Sequence, residues 1–264
     1  MIRAILERAR QGYRTMSFPK GESPAMSPRY RGRSEIAASS CRDCDSHDCE
    51  RACSTGAITG TRDGSASGPI LDLGRCLFCA DCERACPRGA IAFTQDYRLA
   101  VREREALVLG PGQKELKLAS ALEMKLKRLL GRSLKLRQVS AGGCNACEAD
   151  ANVLTTVGWD LGRFGIQFVA SPRHADGLLL TGPVTRNMEL ALRKTYDAIC
   201  DPKIVIASGA CAISGGPYDG SPEILGGVQA LLPVDLYVPG CPPHPLTLLD
   251  GLLRLVGRIE EGSR

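Results

Sequence analysis

Residues 134–148 read LKLRQVSAGGCNACE, a strand-like stretch that runs straight into a glycine pair and a Cys144-x2-Cys147 motif. Two further stretches repeat the arrangement. KIVIAS at 203–208 leads into Gly209 and Cys211, and DLYVPG at 235–240 leads into Cys241. IQFVAS (166–171) and GLLLTG (177–182) also read as strands, while EADANVLTTV, RNMELALRKTYDAI and PLTLLDGLLRLVGRI read as helices. Apolar strands alternating with amphipathic helices specify a mainly parallel sheet covered on both faces. Ligands of such sheets gather outside the carboxyl ends of the strands. Cys144, Cys147, Cys211 and Cys241 therefore all follow strand tips, flanked by glycine or proline that lets backbone approach a bulky group. Three loops from one sheet edge can then close on a single inorganic core. Four thiols packed as small hydrophobes, or a structural zinc, are the alternatives.

Upstream the cysteines crowd. Cys76-x2-Cys79-x2-Cys82-x3-Cys86-Pro87 has the spacing of a bacterial iron–sulfur run, in which the fourth cysteine serves the neighbouring cluster. Zinc sites instead use pairs separated by longer loops. The preceding set, Cys41-x2-Cys44-x4-Cys49-x3-Cys53, carries two extra residues before its third cysteine and lacks the proline. Regular spacing would put a cysteine at His47, which makes His47 a candidate ligand beside the simpler reading of an exposed loop histidine. The sets end in STGAIT and PRGAIAF, an internal repeat, with Gly64, Gly68 and Pro69 as the turn between halves. By the crossed-ligand rule, one cluster takes Cys41, Cys44, Cys49 and Cys86, and the next takes Cys76, Cys79, Cys82 and Cys53. Cys200, before Asp201-Pro202, reads as packing only.

The chain has 264 residues, 44% of them hydrophobic and 24% charged, an ordinary globular composition. No stretch approaches the roughly 20 apolar residues of a membrane span. Thirteen cysteines follow an N-terminus, MIRAILERARQGYRTM, without the apolar core of a secretion signal. That combination points to metal ligation in a reducing cytosol rather than to disulfides. The net charge of +5 is segregated: residues 1–33 hold eight basic and two acidic side chains, and residues 98–137 hold eleven and four. An anionic membrane surface or an acidic protein would suit such stretches. With 5% aromatics and no matching motif, nucleic acid is not an expected partner. Ile2, Ile5, Leu6 and Ala9 form a short helical stripe opposite Arg3, Arg8 and Arg10. The Pro/Ser/Gly/Arg-rich stretch from Phe18 to Ser40 reads as an extended arm, expected to lie along another subunit. KELKLASALEMKLKRLL at 114–130 predicts a helix, with Leu118, Leu122, Met124, Leu126 and Leu129 on its apolar face and Gly131 as its C-cap.

GGCNACE, SPRHADGLLLTGPVTRNM, SGACAISGGPY and VPGCPPHP resemble the small subunit of energy-converting, formate hydrogenlyase-type nickel–iron hydrogenases, homologous to the B (20 kDa) subunit of respiratory complex I. The resemblance covers roughly residues 134–258. SPRYRG, LDLGRCLFCADCERACPRGAI and QDYRLAVRE resemble the polyferredoxin-like subunit of the same complexes, so the chain looks like a fusion of two neighbouring subunits. The implied architecture is a basic helix and arm (1–33), an α+β ferredoxin-like domain with two 4Fe-4S clusters (34–112), a linker helix (113–133) and a flavodoxin-like α/β domain with a third cluster (134–264). In the family the scattered cysteines hold the cluster nearest the active site, a role that Cys144, Cys147, Cys211 and Cys241 inherit. The two residues between Cys144 and Cys147 side with the hydrogenases, since the complex I branch has adjacent cysteines. Ala146 departs from the frequent family glycine. Glu148 is a candidate proton relay, or simply a helix N-terminal acid favoured by the macrodipole. Arg173 and His174, taken to lie on the cysteine edge, are candidates to tune the cluster. The implied activity is that of an oxidoreductase subunit passing electrons to a nickel–iron site on a partner large subunit. Other partners would be membrane subunits and a donor dehydrogenase or ferredoxin, with attachment to the cytoplasmic face of the inner membrane. A complex I-like subunit whose last cluster reduces quinone, and a free-standing electron carrier, are the alternatives.

Overall fold

A computed structural model describes residues 2–12, 14–41, 44–60, 68–110, 113, 115–130 and 133–259. Gly64 and Gly131, assigned above to a turn and a cap, lie outside them. Helix α1 (Ile2–Gln11) is followed by a strand-poor arm, then β1 (Ser34–Ile36), α2 (Ala38–Cys41), α3 (Asp48–Arg51), β2 (Ile58–Thr59) and β3 (Ile70–Asp72). Next come α4 (Asp81–Ala85), β4 (Ile91–Phe93), β5 (Val108–Leu109) and α5 (Met124–Leu130). The remainder alternates: β6 (Leu134–Ser140), α6 (Ala146–Val153), β7 (Ile166–Phe168), β8 (Gly177–Thr181), α7 (Arg186–Asp197), β9 (Ile204–Ser208), α8 (Ala210–Ser214), β10 (Leu236–Val238) and α9 (Pro245–Leu255).

The last five strands pair in the order β10-β9-β8-β6-β7, every pair parallel. This is the order of a flavodoxin-like doubly wound sheet, with its switch point between β6 and β8. β8 and β9 are buried at every residue, as strands covered on both faces must be. α9 is also buried along its whole length, and its sequence PLTLLDGLLRL is apolar on all sides but for one pair. Arg254 donates to Asp250 at 2.8 Å, with both side chains about 3% exposed or less. Burial still raises the Asp250 carboxyl's pKa, with Arg254 pulling the other way.

The cysteine-rich unit is two small antiparallel sheets, β1-β4 and β2-β3-β5. It is fused to the large sheet rather than tethered to it. Val101 and Tyr237 exchange backbone hydrogen bonds of 3.0 and 2.8 Å beside β10. One apolar core holds Leu71, Leu73 and Leu107 from one unit with Leu178, Val205 and Tyr237 from the other.

Two sequence expectations need correction. The arm, expected to lie along another subunit, packs along its own chain: Phe18 is buried, and Arg163 donates to the Met16 and Phe18 carbonyls at 2.5 and 2.8 Å. Farther on, Gly32 and Arg33 donate to the carbonyls of Thr94 and Asp96, and a Cβ on Gly32 would sit 2.1 Å from the Asp96 carbonyl. The helix expected over 114–130 starts only at Met124. Before it, Leu116, Ala119 and Leu122 are buried at every third position, and Ala119 and Leu122 donate to the carbonyls of Ala100 and Leu255. Those contacts use backbone groups that a helix would have kept for itself. Met124 and Leu129, placed on the apolar face, are exposed.

Arg254→Met should destabilise the chain by roughly 3–5 kcal/mol, because Asp250 is left buried and unpaired. Asp250→Leu together with Arg254→Met should recover most of that, read by denaturant unfolding under anaerobic conditions. Arg163→Ala should loosen the arm, seen as faster tryptic cleavage at Lys20 and Arg29 with the large sheet intact.

Candidate metal centres

The two halves of the cysteine-rich unit correspond residue for residue from their short helices onward. His47 and Ala80 both take left-handed conformations (φ 49° and 65°) just ahead of α3 and α4. Each helix carries Asp-Cys-Glu-Arg, with the arginine paired to the aspartate. Gly56 and Gly89 turn the chain back with φ near 60°. The amides of Ala57 and Ala90 then donate to Cys53 Sγ and Cys86 Sγ, both at 3.2 Å. The extra residues of the first half fall between Cys44 and this shared frame. His47 is therefore the counterpart of Ala80 rather than of a cysteine; it is exposed, on the rim of the cavity beside Cys49.

The thiols gather in three sets. Cys41, Cys44, Cys49 and Cys86 line one cavity of about 250 Å³. Cys53, Cys76, Cys79 and Cys82 line a much tighter one. The fourth cysteine of each run has thus crossed to the other set. In the large sheet, the loops after β6 and β10 and the first turns of α6 and α8 bring Cys144, Cys147, Cys211 and Cys241 within electrostatic reach of one another. Cys241 also feels Cys79 across the junction, and the two line one cleft. The sets are ordered accordingly, with the Cys79 set in the middle.

Burial pushes the Cys76 thiol up to about 12, with Cys82, Cys53 and Cys79 adding repulsion. Burial and neighbouring thiols take Cys82 and Cys211 to about 11, and burial, the Glu148 carboxylate and the other thiols take Cys147 higher still. Four thiolates cannot share such a place unless positive charge sits among them. An all-sulfur donor set is what soft metals and iron–sulfur clusters take. Among the described residues, no three His, Cys, Asp or Glu side chains converge tightly enough for a single ion. Glycines open space at the sulfurs: a Cβ on Gly209 would lie 2.6 Å from Cys147 Sγ, and one on Gly216 2.8 Å from Cys211 Sγ. The donor chemistry and these clearances fit a polynuclear group.

Glu148 is buried in the first turn of α6, next to Cys147, and Thr181 Oγ1 donates to it at 2.7 Å. Burial works against its charge, but the Ser140 and Thr181 hydroxyls outweigh it and hold the carboxyl below its usual range. Those hydroxyls sit at the tips of β6 and β8, and only the sheet order reveals them as neighbours of a cysteine.

Arg173 and His174 are at the wrong edge. They line an opening with Lys135, Asp176, Asp201 and Cys200, beside the amino ends of β6, β8 and β9. A parallel crossover must return the chain to the start of the next strand, and the SPRHAD turn comes at the end of that return. Neither residue is near the strand-tip thiols. Cys200 is exposed there rather than packed.

Residues 144–255 match the family described as NADH ubiquinone oxidoreductase, 20 Kd subunit, and residues 40–90 match a 4Fe-4S dicluster domain. Over 142 residues the chain is 40% identical to formate hydrogenlyase subunit 7 of Escherichia coli, covering 54% of this chain and 56% of the relative. Over 134 residues it is 42% identical to the probable membrane-bound hydrogenase subunit mbhJ of Pyrococcus furiosus, covering 51% and 80%. Over 117 residues it is 43% identical to the B-type subunit of the NADH-quinone oxidoreductase of Phocaeicola vulgatus, covering 44% and 59%. The chain thus spans little more than half of the first and third of these relatives. Because it covers four-fifths of a relative at 42% identity, the chain belongs to the NADH ubiquinone oxidoreductase 20 kDa subunit family, with a 4Fe-4S dicluster domain on its N-terminal side.

Proposed function

We propose that this chain is the electron-transfer subunit of a membrane-associated nickel–iron hydrogenase complex, a fusion of a polyferredoxin-like unit (34–112) to a hydrogenase small-subunit unit (134–264) through residues 113–133. The observation that carries the reading is the row of three thiol quartets, with Cys79 of the middle set beside Cys241 of the last. Cys41, Cys44, Cys49 and Cys86 would hold one cluster, Cys53, Cys76, Cys79 and Cys82 the second, and Cys144, Cys147, Cys211 and Cys241 the third. A bound 4Fe-4S cluster supplies one-electron redox chemistry. Everything else is the protein's part. Its thiolates fix the order of the sites, and its amides at Ala57, Ala90 and Phe78 donate to the Cys53, Cys86 and Cys76 sulfurs. Its apolar core keeps the first two sites at a set distance from the third.

Cys144 and Cys241 are exposed at the strand-tip edge. That edge faces the partner large subunit in this reading, where protons are reduced to dihydrogen or dihydrogen is oxidised. Glu148 stands behind Cys147 as a proton-relay candidate. At the far end, the first set faces the electron donor, a dehydrogenase or a ferredoxin. The quinone-reducing alternative is favoured by the 43% identity to a component of a quinone oxidoreductase. Against it stands the Cys144-x2-Cys147 spacing. Nickel analysis and hydrogen evolution by the purified complex separate the two.

No helix among the described residues is long and apolar enough to cross a membrane. Attachment would instead use α1, where Ile2, Ile5 and Leu6 are 75%, 66% and 62% exposed and no residue is buried.

Anaerobically purified chain should carry about twelve irons with matching acid-labile sulfide, and Cys241→Ser should lose about four of them. About eight irons in the unmodified chain would mean that the irregular first set is empty, and a folded iron-free chain would overturn the reading. Deleting residues 2–11 should leave the iron content unchanged but lower recovery of the chain with its membrane complex. Unchanged recovery would remove α1 from the docking surface.

A further inference from the structure

The arm crosses the molecule at one functionally exposed place, the junction between the middle and last thiol sets. Tyr30 and Arg31, consecutive in SPRYRG, grip opposite sides of it. Tyr30 Oη is 3.3 Å from Thr247 Oγ1 on α9, and its ring meets His244 edge-on at 5.3 Å. His244 is itself fixed, its Nδ1 accepting from the Leu246 amide at 3.1 Å and its ring contacting Trp159. On the other side, Arg31 Nη1 donates to the Cys79 carbonyl at 3.2 Å. Cys79 is the middle-set residue whose thiol is felt by Cys241.

Arg84 reaches the same carbonyl at 3.3 Å, but it is also ion-paired with Asp81. Arg31 forms no ion pair with a carboxylate among the described residues, although Asp150 lines the same cleft. An exposed positive charge with no carboxylate ion pair among the described residues is thereby hydrogen-bonded to the ligand loop of a single set. Reduction adds negative charge to a cluster, so a fixed cation beside it favours the reduced form.

We propose that Arg31, held in place by Tyr30, is a positioning residue that raises the reduction potential of the cluster bound by Cys53, Cys76, Cys79 and Cys82 relative to that same cluster without it. This rests on the cluster assignment above and adds a role for the arm. An electron arriving from the first set is thereby drawn to the cluster next to Cys241.

The test is an EPR-monitored dithionite titration of the full chain, with the middle cluster's one-electron wave identified as the one that Cys79→Ser perturbs. Arg31→Gln should lower the reduced-to-oxidised ratio of that wave about threefold at the unmodified chain's midpoint, a shift of about 28 mV at 59 mV per tenfold. Arg31→Lys should restore the midpoint, and Lys20→Gln, elsewhere on the arm, should leave it alone. Tyr30→Leu should shift the wave in the same direction, and adding Arg31→Gln should move it no further than Arg31→Gln alone. An unmoved wave, or equal shifts of all waves, would overturn the proposal while leaving the cluster assignment standing. Absence of any cluster signal in the unmodified chain would instead remove the assignment beneath it.

Discussion

Parallel strands all point one way, so every loop that leaves a carboxyl end leaves on the same side of the sheet. That constraint brings together cysteines nearly a hundred residues apart in sequence, from Cys144 to Cys241. It needs little from the loops themselves beyond short length and small residues at the turns, which Gly209, Gly216 and Gly240 supply. The same constraint sends the SPRHAD turn to the other side. A sheet that gathers ligands at one edge must return its crossovers at the other.

The cysteine-rich unit solves the gathering problem by duplication. Each half folds the same turn, short helix and strand, and each exports its last cysteine to the other half. The exchange makes the two thiol sets interdependent, because neither set is complete within one half of the repeat. The middle set then meets the strand-tip set through Cys79 and Cys241, with the arm laid over the meeting point.

Much of this is legible in the sequence because the signals are local. Strand and helix periodicity locates the elements from β6 to α9 closely, apart from the one-turn α8, and the spacing of Cys76 to Cys86 points to the crossed sets. What the sequence hides depends on partners distant in the chain. The stretch before Met124 has helical composition, yet Ala100 and Leu255 claim its backbone donors, so it runs open. The arm has no periodicity and no core, and nothing within it announces that Arg163 and Thr247 will hold it. Arg173 and His174 follow a strand in sequence without nearing the thiols, because β7 is short: its last residue, Phe168, pairs with Leu136, the same β6 residue at which β8 begins with Gly177.

The Val101–Tyr237 bridge has a wider meaning for how this chain can exist. By capping the outer side of β10, the smaller unit occupies backbone groups that would otherwise be free to recruit a strand from a foreign chain. A severed large sheet would therefore lose its insulation as well as its upstream sites, becoming sticky along that flank.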